Sequence, residues 1–155
     1  MQDPNDMFLA RLSGNYLLRT LANTSEVFEG DMLLAIVFMA IGQATVSHLP
    51  VERHAGQFGP DGIAPDDQRR PVSALSIAES LNIPRETARR YVSRLVDLGY
   101  CARVRGRRVI IPGDVYRRPE VQHALQSNRR DLQMMIAAIR RGGLLRDETA
   151  EESPL

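Results

Sequence analysis

Residues 83–100, IPRETARRYVSRLVDLGY, constrain this chain more than any other stretch. Ala88, Tyr91, Val92, Leu95 and Leu98 recur at helical steps and fall on one face. Arg85, Glu86, Arg89, Arg90 and Ser93 fall on the other, mostly toward the helix start. Pro84 suits the first helical position, where its missing N–H costs nothing. Gly99 suits the position just past the end. The pattern predicts one helix over 84–98. It needs a core under its apolar face and a role for the arginines opposite.

The flanks extend the pattern. Residues 71–74, PVSA, read as a short strand. Ser76 and Glu79 fit a capping box, in which a serine hydroxyl and a glutamate three residues on satisfy helix-start amides. A short helix follows through Leu81, and Asn82 and Ile83 make a tight turn. After the arginine helix, YCARV and RVIIP flank Arg105-Gly106-Arg107. Two β-prone runs around a short glycine turn predict a hairpin. It carries Arg103, Arg105, Arg107 and Arg108.

Elsewhere the chain is helical or loop-like. In residues 7–22, Phe8, Leu9, Leu12, Tyr16, Leu17 and Leu21 keep helical spacing, weakened by Gly14. Residues 31–49 form a stronger helix, capped by Asp31 and apolar nearly all round. Such a helix belongs at the centre of a core or in a subunit interface. Residues 50–71 are rich in Gly, Pro and Asp and read as a long loop. Residues 119–141 are helical. Val121, Leu125, Asn128, Leu132, Met135 and Ile139 alternate at steps of four and three, a coiled-coil-like seam with one polar member. The expected fold class is mainly α with a small β-hairpin. The expected segments are an N-terminal helical extension over 1–30, a central domain over 31–113 with its loop at 50–70, a helix over 114–143, and a frayed tail over 144–155.

Charge is distributed unevenly. The net charge is +1, and all twenty Lys+Arg cations are arginine. Residues 1–68 hold 3 Arg against 9 acids, or −6; residues 69–118 hold 12 Arg against 4 acids, or +8; residues 119–155 hold 5 Arg against 6 acids, or −1. A basic block between acidic ones is the asymmetry of a face that meets a polyanion. Surface ion pairs contribute only about 0–1 kcal/mol each, so stability does not account for the cluster. If six to ten arginines each met a phosphate, affinity would fall about 10³- to 10⁵-fold between 50 and 200 mM salt.

Other classes find less support. The single cysteine, Cys101, excludes an internal disulfide, fits a cytoplasmic setting, and reads as a small apolar filler. The N-terminal MQDPNDMF is acidic, unlike a secretory signal. The longest apolar run, residues 32–42, is about half of a membrane span, so no membrane partner is expected. His48, His54 and His123 match no common metal-ligand spacing. No nucleophile–base pair, phosphate-cradling loop or paired catalytic carboxylate stands out, so neither an enzyme nor a cofactor is expected.

The order of elements over 31–113, and most of all SIAESLNIPRETARRYVSRLVDLGY followed by CARVRGRRVIIP, resembles the winged helix-turn-helix domain of MarR-, GntR- and IclR-like bacterial transcription regulators. Asn82 stands where such families often have Gly, and Pro84 where they often have Ser or Thr. The long loop matches no family feature. The resemblance implies a homodimeric, sequence-specific regulator of double-stranded DNA, with helix 84–98 in the major groove and the wing, 101–111, on the backbone or in the minor groove.

The residues support this role independently. A major groove admits one helix, and side chains near its N-terminal half reach base edges. Arg85, Arg89, Arg90 and Arg94 can pair with guanine or phosphate; Thr87 and Ser93 can bond either. Glu86 can accept from cytosine or pair with Arg90 four residues on. Arg103, Arg105, Arg107 and Arg108 suit the backbone or a narrow minor groove.

Three plainer or rival readings stand beside it. The arginine face can be a solvated helix surface, and the hairpin arginines an ordinary polar turn. The winged domain can be a protein-interaction module for an acidic partner. The regulator can also respond to a small-molecule effector under the 31–49 helix, near Leu34, Phe38 and Ile41. For helix 119–141 both packing on its own domain and dimerisation remain open, Asn128 fixing register in the second case.

Overall fold

The computed structural model describes Asp3, residues 5–50, Phe58 and residues 60–144. His54, most of the first half of the 50–70 loop, and the tail beyond Leu144 lie outside the described residues. The molecule is mainly helical with one two-stranded antiparallel hairpin. In order it runs α1 (Asp6–Glu26), α2 (Met32–Val46), a 3₁₀ turn (Asp66–Gln68), α3 (Ala74–Leu81), α4 (Arg85–Asp97), β1 (Ala102–Arg105), β2 (Arg108–Ile110), α5 (Gly113–Tyr116) and α6 (Pro119–Arg141). Among the described residues no helix is long and apolar enough to cross a membrane.

Helix α2 is central because it buries more than one face. Leu34, Val37, Phe38 and Ile41 are buried, and they pack with Ile77 of α3, Val92 and Leu95 of α4, and Val109 and Ile111. Asp31 caps α2, accepting from the Leu34 amide at 3.0 Å. The helix stops at Val46, short of the expected residue 49. Cys101 joins the same core, and burial pushes its thiol up to about 12, which leaves it inert at neutral pH.

Local chemistry moves several boundaries. The cap of α3 is Ser73, three residues before the expected Ser76. Ser73 accepts from the Ser76 amide at 3.2 Å, and Ser76 Oγ donates to the Ser73 carbonyl at 2.9 Å. A serine at each end of the same first turn made both positions plausible caps. The strand expected at 71–74 is a single bridge, Val72 to Val109. Pro84 lies one position earlier than expected, as the residue preceding α4 (φ −58°, ψ 141°). Asn82 closes α3 in the left-handed region (φ 52°, ψ 46°), so it performs the turn that glycine usually serves. Helix α5 has only four residues and was not anticipated.

The C-terminal helix packs on its own chain. Helix α6 runs antiparallel to α1, and Asn128 Oδ1 accepts from Tyr16 Oη at 2.8 Å and Thr20 Oγ1 at 3.2 Å. The polar member of the seam is therefore spent within the protomer. The second half of the long loop is likewise pinned down. Arg70 N donates to Thr45 O at 2.9 Å, and His48 Nε2 lies 2.9 Å from Gln68 O. Asp66 Oδ1 accepts from Gly113 N at 2.7 Å.

Candidate nucleic-acid interface

Helix α4 is split lengthwise as its sequence requires. Ala88, Val92 and Leu95 are buried and hold it to α2 and α3. Tyr91 is half-buried against the same core. Leu98 departs from the expected face: it follows the last helical turn and is 50% exposed. On the opposite side Arg85, Glu86, Arg89, Arg90 and Arg94 are exposed, with Thr87 and Ser93 half-buried at the margins. A shallow hollow along this side is lined by α4 alone, between Glu86 and Asp97. Proline cannot cap the start of α4 with a side chain, and among the described residues no side chain accepts from its first-turn amides.

The hairpin sits beside that face. Its strands pair Ala102 with Ile110, Arg103 with Val109 and Arg105 with Arg108, with a register irregularity between Arg103 and Arg105. Such an irregularity bends a strand and re-aims its side chains. The tip is Gly106-Arg107, and Gly106 takes φ 58°, a conformation glycine adopts without strain. Val109 and Ile110 are buried, whereas Arg103, Arg105, Arg107 and Arg108 are all exposed. Arg103 Nη2 donates to Ser93 Oγ at 3.3 Å, and Arg103 Nη1 to the Arg107 carbonyl at 3.5 Å. One guanidinium thus touches the outer side of α4 and the hairpin tip together.

Not all of the arginines carry free charge. Glu86 pairs with Arg89, not with Arg90: Oε2 lies 2.8 Å from Nη2 and 3.0 Å from Nε. The Arg89 hydrogen bond holds the Glu86 carboxyl below its usual range. Arg90 lies over the Tyr91 ring at 5.6 Å, inside the limit of about 6 Å for a cation–π contact. Arg94 forms an ion pair with Asp31. Arg85, Arg90, Arg105, Arg107 and Arg108 have no carboxylate partner among the described residues. Two of the eight arginines singled out from the sequence, Arg89 and Arg94, are therefore neutralised within the chain. Spacing could not reveal the Asp31 contact, which joins residues 63 positions apart.

Comparison with family models, curated proteins and solved structures finds no match to this chain.

Proposed function

We propose that this protein is a homodimeric, sequence-specific DNA-binding regulator of winged helix-turn-helix form. Helix α4 enters the major groove and the β1–β2 wing follows the backbone or the adjoining minor groove. The observation that carries the reading is the Arg103–Ser93 hydrogen bond, which joins the wing to the exposed side of α4. A duplex approaching that side meets the unpaired guanidinium groups of Arg85, Arg90, Arg105, Arg107 and Arg108 together. Uncapped amides at the start of α4 add donors suited to a phosphate.

The dimer body in this proposal is built from α1 and α6. Seven of the eleven exposed large hydrophobic residues lie there: Met7, Phe8, Leu17, Leu18, Leu125, Met134 and Ile136. Contiguous exposed apolar patches mark contact surfaces, and these side chains supply apolar area for one on α1 and α6. Along α1, Met7, Ala10, Gly14, Leu17 and Leu21 recur at alternating steps of three and four. The residues that bond α6 (Tyr16, Thr20, Asn23) fall on the other side of that helix.

Selection of bound fragments from random duplex DNA, followed by anisotropy titration across salt, tests the reading. Five phosphate contacts per protomer, ten per dimer, give a salt slope of about −9, or on the order of 10⁵-fold weaker binding from 50 to 200 mM. A dimer also selects two half-sites about 34 Å apart and sediments at twice the 17.4 kDa chain mass. Weak, unselective DNA binding would instead favour an acidic protein partner for the same face.

A further inference from the structure

We propose that the cleft bounded by α1, α2 and α6 binds a small organic acid, its apolar body against the helices and its carboxylate on Arg69. The inference is independent of the DNA reading, because binding is measured without DNA.

The cleft encloses about 520 Å³, within the roughly 300–1,000 Å³ common for small-molecule sites. Phe38, Met39, Val121 and Leu125 give it apolar walls, and Arg69 and Tyr116 stand among them. Of the residues first associated with an effector under α2, Leu34 and Ile41 are fully buried in the core, and only Phe38 reaches this cleft.

Arg69 is the unusual member. Its side chain is only 3% exposed, yet a guanidinium keeps its charge and carries five N–H donors. Nη2 donates to the Ala64 carbonyl at 2.9 Å, and the group stacks over the Tyr116 ring at 5.0 Å. Among the described residues buried Nε has no hydrogen-bond partner. Asp66 Oδ1 forms an ion pair with Nε at 3.5 Å, beyond good hydrogen-bond range, and accepts the Gly113 amide at 2.7 Å. Asp61, also on the cleft, is engaged by Arg117 Nε at 2.9 Å and the Ile63 amide at 3.1 Å. The described residues therefore leave a buried guanidinium, held by one long ion pair and with a donor not hydrogen-bonded, beside an apolar cleft. A guanidinium fork matches a carboxylate in geometry and charge, and the surrounding walls favour an apolar body. Burial raises the Tyr116 pKa, so its hydroxyl stays protonated beside the site.

The test titrates the ¹⁵N-labelled full chain with 4-phenylbutyrate and decanoate, each compared with its primary amide. Amide-resonance shifts at Phe38, Met39 and Leu125, with each acid about tenfold tighter than its amide, are expected. Arg69→Gln removes the preference for acid over amide. Arg69 is buried, so a second variant is included: Leu125→Trp, at a 44% exposed position, fills the cleft and abolishes binding of both forms. Equal affinity for acid and amide overturns the proposal. So does unchanged affinity in Leu125→Trp, or the absence of shifts at the cleft with every probe.

Discussion

One carboxylate, that of Asp31, holds two helices. Its Oδ1 accepts from the Leu34 amide at the start of α2, and its Oδ2 accepts from Arg94 Nη1 on α4. The helix that fills the core is thereby tied to the helix that faces outward.

Removing this carboxylate has a calculable cost. Asp31→Ala loses a helix cap, worth about 1 kcal/mol, and a partly exposed ion pair, worth about 0–1 kcal/mol. A loss of about 1–2 kcal/mol in urea unfolding is expected, and Asp31→Asn, which keeps the cap acceptor, loses less. The Leu34 amide and then Arg94 hold the Asp31 carboxyl below its usual range, against the opposing effect of burial. A depressed folded pKa gives stability that is present above the unfolded value of about 3.9 and is lost as pH falls through the lower folded value. The stability difference between pH 6 and pH 3 is therefore smaller in Asp31→Ala than in the parent chain.

Asn82 gives a backbone prediction. Its φ of 52° suits asparagine or glycine and strains a β-branched residue. Asn82→Gly leaves stability within about 0.5 kcal/mol, whereas Asn82→Val costs about 1–2 kcal/mol. Denaturant midpoints of the two variants, compared with the parent, check the contrast.

Asn128 distinguishes a contact within the chain from one between chains. Asn128→Leu leaves the Tyr16 and Thr20 hydroxyls without their acceptor at a partly buried site, costing about 1–3 kcal/mol. The sedimented mass stays the same, since the amide is spent inside the protomer. A changed mass at unchanged stability would return Asn128 to a register role between subunits.

The arginines should separate by function. On a selected DNA site, Arg85→Ala costs about 1–3 kcal/mol if the residue reads a base, with little effect on thermal stability. Arg107→Ala weakens binding to all sequences and flattens the salt slope of the dimer by about two, one for each protomer. Arg94→Ala lowers thermal stability, because it breaks the tie to Asp31. Anisotropy titrations and melting curves on the same three variants measure all of this.

The two-sided character of α4 was readable because Ala88, Val92 and Leu95 announce a helical period that the core then satisfies. The Asp31 cap, the Gly106 turn and the span of α6 were readable for the same reason: each depends on neighbours a few positions away. The start of α3 was misplaced because Ser73 and Ser76 are equally good local signals. Arg69 gave no signal at all. It sits in a loop-like stretch beside Arg70, and only packing distinguishes the buried one from the exposed one.

Sequence alone determined the five longer helices, the hairpin and the concentration of arginine in residues 69–118, since periodicity, caps and charge act over short distances along the chain. Tertiary structure decided which arginines keep a free charge and which acquire partners. It also turned Asn128 inward and enclosed Arg69 in a cleft. These outcomes depend on residues distant in sequence and brought together by packing, and no local pattern encodes such pairings.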